Sequence, residues 1–210
     1  MIRGHRILFV AGAATLIAAC NSGPSAIDGQ AVADVIDDTL DDADFDEDET
    51  AAVDCPVDDW DDIVEDTLAD FDDDVVELAL DGDRDETAYI DPSGESIDCS
   101  YFGDDAGAGL FMLEAPRDVD EYTEEFATGG EGGARVDIDP TNEYRGGQFR
   151  HVCVEYDDDD ASGYCQVEWV DDDLLIGIYV FGDGADRIDT DDLEVAFAPQ
   201  LDLIADQFTG

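Results

Sequence analysis

Three aspartates at alternate positions, Asp81, Asp83 and Asp85, match the first, third and fifth ligand positions of a helix–loop–helix calcium loop, and Asp44, Asp46 and Asp48 do likewise. Carboxylates in that spacing suit calcium because the hard cation prefers a cage of oxygen ligands. The two stretches share the pattern D-x-D-x-D-E-T-A-x-[V/I]-D, at 44–54 and 81–91. The sixth position of such a loop needs glycine for its sharp turn and here is Glu49 or Glu86. The twelfth needs a bidentate glutamate and here is Cys55 or Pro92. Neither stretch is a standard site, so Asp81, Asp83 and Asp85 offer weak calcium association at most, as does the run Asp157 to Asp160. The one histidine after residue 20, His151, sits beside Cys153 in an apolar segment, which makes it a hydrogen-bonded core residue and not a general base. Gly-x-Ser-x-Gly and phosphate-loop patterns are absent, and there is no lysine for nucleophilic work. Two carboxylates can hydrolyse a glycosidic bond. With 59 acidic residues, however, suitably spaced pairs occur throughout the chain, so a two-carboxylate hydrolase is a distant alternative. The expectation is a protein that binds, with no catalytic residues and no resident cofactor.

Cys20 carries a different chemistry. Arg3 and Arg6 precede an apolar stretch from Ile7 to Ala19, which ends in Leu16-Ile17-Ala18-Ala19-Cys20. That stretch is shorter than the roughly 20 residues a spanning helix needs. The motif resembles the lipobox of bacterial lipoproteins: a branched residue, small residues that let a peptidase reach the backbone, then the cysteine. The resemblance implies that residues 1–19 are a signal peptide, that the Cys20 thiol accepts diacylglycerol, and that the rest lies outside the cytoplasm, anchored to the membrane. In a Gram-negative envelope Asn21, in place of Asp after the cysteine, points to the outer membrane. In a Gram-positive one the outer face of the cytoplasmic membrane is expected.

The net charge of −51 bounds the partners. Nucleic acid is excluded, because phosphate contacts need Lys or Arg and this surface repels the backbone. Direct adhesion to anionic headgroups is disfavoured on the same ground. Because Asp and Glu are spread along the whole mature chain, the reading preferred here is adaptation to high salt, where self-repulsion is screened. Selective binding of cations or of a basic partner is the competing one.

These groups need elements to hold them. Residues 20–54 read as an acidic tether, with Val32, Val35, Ile36 and Leu40 at helical spacing inside it. The domain proper spans 55–210. Trp60, Ile63, Val64, Thr67, Leu68 and Phe71 trace one helix face. Val76, Leu78 and Leu80 alternate like a strand, and Ile97 to Phe102 and Leu110 to Glu114 read as strands joined through 103–109. Val119, Tyr122 and Phe126 suggest a helix over 118–127, before a glycine-rich loop at 129–133. Gln148 to Tyr156 and Tyr164 to Val170 form a hairpin about Asp159, with Cys153 opposite Cys165 and Phe149, His151, Val167 and Trp169 on the same face. Leu174 to Phe181 is an apolar strand. Leu193, Phe197, Leu201, Ile204 and Phe208 predict a final helix that Pro199 kinks or splits.

Four cysteines in an exported domain imply two disulfides. Zinc is the alternative, but there is no CxxC pair and a single mature histidine. The hairpin register gives Cys153–Cys165, and elimination leaves Cys55–Cys99. The fold class is α+β, an antiparallel sheet with helices packed on one face.

The order of lipobox, acidic tether, cysteine before a helix, Cys99-Ser100-Tyr101, Val119 to Tyr122 and a cysteine-bearing hairpin resembles small actinobacterial lipoproteins. It is also similar to the extracellular sensor domains of mycobacterial receptor kinases. The resemblance covers roughly residues 53–208 and implies an α+β fold with two disulfides and no catalytic residues. The function expected is a binding, interaction or sensor-like domain at the cell envelope, facing an envelope ligand or protein. A calcium-binding module is the alternative.

Overall fold

The computed structural model describes residues 26–42, 51–81, 85–90, 96–103, 105–113, 134–156, 163–172 and 174–208. Cys20, Asp44 to Asp48, Asp83, segment 118–133 and the turn 157–160 lie outside them, as do the side chains of Asp81 and Asp85.

An α+β architecture organises the chain. Helix α1 (Gly29–Asp42) precedes a short strand β1 (Ala51–Ala52), then α2 (Trp60–Leu68) and α3 (Asp74–Asp81). Strands β2 (Asp85–Ile90), β3 (Ser96–Phe102) and β4 (Ala106–Leu113) follow, then β5 (Ala134–Tyr144), β6 (Gly147–Tyr156), β7 (Gly163–Val170) and β8 (Leu175–Gly182). A 3₁₀ turn (Ala185–Arg187) leads into α4 (Thr190–Phe208). The sheet order is β1-β2-β3-β4-β8-β7-β6-β5, antiparallel at every pairing. Two four-stranded meanders therefore abut along a seam where β4 pairs with β8.

Alternation decides the two faces. Val167 and Trp169 of β7, Ile176 and Ile178 of β8, and Leu110 and Met112 of β4 point to the face covered by the helices. There they meet Ile63, Val64 and Leu68 of α2, Val75, Val76 and Ala79 of α3, and Leu193, Phe197 and Leu201 of α4, all buried. Fully burying one such side chain stabilises the fold by about 1.5–3 kcal/mol before entropy is charged. The Gln207 side chain clamps α2 to the end of α4 by accepting from Asp58 N at 2.9 Å and donating to Asp58 O at 3.0 Å.

Both expected disulfides form, the one from the hairpin register and the one left by elimination. Cys153 pairs with Cys165 directly across the β6–β7 ladder, and Cys55 with Cys99. Phe149, Val167 and Trp169 share the helix-covered face, as the hairpin register requires.

Several expectations need correction. Residues 76–80 are helix α3 and not a strand. Val75 and Ala79 join Val76 to make a buried i, i+1, i+4 stripe, while Leu78, which the alternation placed inside, is 51% exposed. Asp73 O starts this helix by accepting from Val76 N and Glu77 N, and Asp74 and Glu77 complement the N-terminal dipole. Strand β4 begins at Ala106 and not Leu110, because Gly107 and Gly109 are roofed by neighbouring aromatic rings and their lack of side chains is what lets the strand continue. Helix α4 runs unbroken through Pro199. The carbonyl that loses its partner belongs to Val195, whose residue is 73% exposed, so water can replace the missing N–H. The acidic tether assigned to 20–54 is folded from residue 26 onward wherever the structure describes it, since Ile27, Val32, Ala33 and Ile36 are buried in the main core and Val53 N bonds Ala88 O. Strands β1, β2 and β5 are additional to the strands expected from the sequence. β5, at the border of the sheet, carries Pro140 and a register shift between Pro140 and Glu143, and the unpaired side of such a border leaves room for a proline without a ladder N–H.

Candidate functional site

The β5–β6 hairpin closes through a two-residue turn, Arg145-Gly146, with φ of 46° and 98°. Both positive values match the primed turn that fits strand twist, and glycine at the second place costs nothing. Arginine at the first place is held through both its carbonyl and its guanidinium. Its carbonyl accepts from Ile27 N at 2.9 Å, and its Nη1 meets Asp202 Oδ1 at 2.7 Å. Tyr144, just before it, donates its hydroxyl to the same Asp202 oxygen at 2.8 Å. Burial, followed by the hydrogen bond and the charge of Asp202, pushes the Tyr144 phenol up to about 12, with Arg145 pulling the other way. Trp169 Nε1 donates to Tyr144 O at 2.7 Å, fixing the hairpin to the core.

This turn forms one wall of an open groove of about 920 Å³. Tyr144, Arg145 and Gln148 line it from the hairpin, Ala26 from the chain entering α1, and Asp171 and Asp172 from the β7–β8 turn. Asp171 Oδ1 accepts from Leu174 N at 2.8 Å, which shapes that turn, and its carboxylate also lies against Gly29 at the start of α1, where a side chain would collide. The groove is polar, has anionic rims and contains one guanidinium already drawn toward Asp202. It suits a polar or cationic group better than an anion.

A second polar cluster lies on the sheet face away from α2, α3 and α4. Arg150, Glu168 and Gly177 align across β6, β7 and β8, next to a row made by Gln166, Tyr179, Gly109 and Ser100. Arg150 donates to Glu168 Oε2 through Nε at 2.9 Å and Nη2 at 2.6 Å. Tyr164 bonds Gln166, Gln166 bonds the other Glu168 oxygen, and Tyr179 donates to Asp98 at 3.0 Å. Glycines make room for the rings. A Cβ on Gly109 would lie 2.9 Å from the Tyr179 hydroxyl, and the Phe111 ring covers Gly177. Tyr164 stacks on Tyr179 with centroids 5.6 Å apart. These groups engage one another inside the protein, which fits an organising network better than a reaction centre.

His151 is buried and donates from Nε2 to Glu194 Oε2 at 2.8 Å, while Asn142 holds the other Glu194 oxygen at 2.7 Å. Burial and a hydrogen-bond partner are what its sequence setting implies. Of the calcium candidates, Asp81 ends helix α3 and Asp85 opens strand β2, so a strand follows where the motif requires a second helix. Among the described residues no group of three or more His, Cys, Asp or Glu is placed to hold a metal ion, and no helix is long and apolar enough to cross a membrane. The groove escaped sequence reading because Ala26, Arg145 and Asp171 are far apart in the chain. The Arg-Gly dipeptide between two extended segments was its one local signal.

No protein-family model matches the chain, and no curated protein matches it in sequence.

Proposed function

We propose that this chain is a membrane-anchored extracytoplasmic lipoprotein whose α+β domain binds a ligand or partner at the cell envelope, adapted to high salt. The observation that carries the reading is the cysteine inventory. Four cysteines are spent in two disulfides, Cys55–Cys99 and Cys153–Cys165, and the one left over is Cys20, at the end of the lipobox-like motif. Disulfides persist on the oxidising side of a membrane, where a lipidated Cys20 would also place the domain. Several acyl chains hold far more firmly than one, at about 0.8 kcal/mol per buried CH₂. The groove beside Tyr144 and Arg145 is the surface offered to a ligand, and its anionic rims favour a polar or cationic group.

Fractionation of cells expressing the full chain and its Cys20→Ala variant tests the reading. The parent should enter the membrane fraction and incorporate labelled lipid, and the variant should do neither. A Cys20→Ala protein that stays in the membrane without label would overturn the anchor.

A further inference from the structure

Helix α1 changes how far the domain can stand from its anchor. Ile27, Val32 and Ile36 are buried, and the Ile27 N–H is bonded to the Arg145 carbonyl at 2.9 Å, so the chain is fixed to the body from Ala26 onward. Only Asn21 to Ser25 lie between the lipidated residue and the fold, six residue steps from Cys20 to Ala26. Fully extended, that many residues reach about 20 Å. Ala26 itself lines the groove, and the β5–β6 and β7–β8 turns stand beside it. Strand direction puts the other ends of the sheet, the β3–β4 turn at Asp105 and the β8 exit at Asp183, at the far pole. Eight-residue strands separate the two poles by about 26 Å.

We infer that the groove pole faces the bilayer, so that the headgroup layer is the surface the groove meets and the far pole is the one presented outward. The inference rests on the proposed lipid anchor and deepens it, replacing a domain on a long acidic leash with one held against the membrane in a fixed sense. Glu143, Asp171 and Asp172 at the groove make this pole anionic. Its approach to headgroups therefore depends on salt. The screening length is about 3 Å at molar ionic strength and about 10 Å at 0.1 M.

The test uses the full lipidated chain in phosphatidylcholine vesicles carrying an acceptor dye on a fraction of the headgroups. A donor is placed by an unnatural amino acid at position 172 or, separately, at position 183, both exposed. The native cysteines stay untouched. In molar NaCl, energy transfer should be several-fold higher from 172 than from 183. A flexible Gly-Ser insert of about 20 residues between Ser25 and Ala26 should bring the two toward equality while the protein still floats with the vesicles. Equal transfer from both positions in the uninserted protein, or higher transfer from 183, on protein that floats, overturns the orientation and leaves the anchor standing. A parent that floats no better than Cys20→Ala overturns the anchor, and the orientation with it.

Discussion

At Glu168 a carboxylate with no exposed surface faces the guanidinium of Arg150, itself nearly buried, at 2.6 Å. Such a pair adds little over an apolar one but costs a great deal when halved. Arg150→Met should therefore destabilise the protein by about 3–5 kcal/mol in urea melts. Adding Glu168→Leu should restore most of that, short of about 1 kcal/mol for the acceptor that Gln166 loses. Tyr144 gives a second prediction, for alkaline pH. Its folded value of about 12 lies above the ordinary 10. The unfolded chain thus loses this proton first, and stability falls as pH rises from about 10 to about 12. Tyr144→Phe should flatten that part of the pH–Tm curve, and in the parent one phenol should titrate late by absorbance.

At the scale of the element, α2 carries its own opposition. The Asp61 charge, with partial desolvation and then Asp59, Asp66 and Glu65, holds the exposed Asp62 carboxyl above its usual range. The sign follows from linkage. A raised carboxyl binds its proton more readily when folded, so the strain is present at neutral pH and fades as pH falls through the carboxylate range. Asp62→Asn should raise Tm at pH 7 and low salt by about a degree, and the gain should vanish near pH 3. Elements with one dominant signal were legible in sequence. The α2 stripe from Trp60 to Leu68, the β6–β7 register with Cys153 opposite Cys165, and the apolar β8 all stand where periodicity places them, while Phe71 falls just past the helix end. Misreadings came where a second interaction outweighed the local pattern. Gly107 and Gly109 look like loop until Phe181 and Tyr179 roof them, and Val76-Leu78-Leu80 alternates until Val75 and Ala79 are counted. The groove was not legible, because its walls come from two turns and the chain entering α1, with no shared motif.

For the whole molecule, the net charge of −51 sets the conditions under which all of this holds. Like charges repel in the compact state more than in the expanded chain, and salt screens that difference. Raising NaCl from 0.1 to 2 M should lift Tm by more than about 5 °C, as followed by circular dichroism. Calcium and magnesium at matched ionic strength should add nothing beyond this. A rise at micromolar calcium that sodium cannot reproduce would favour the cation-binding reading instead. Among the described residues the sheet also ends well on both sides. β1 has two residues, and β5 is interrupted by Pro140 and the shift before Glu143. Molecules confined to a membrane collide in two dimensions at high local concentration, which is where an open strand would recruit its neighbour. A template two residues long at one border and a broken one at the other deny each copy a partner, so crowding on a surface should not seed fibrils.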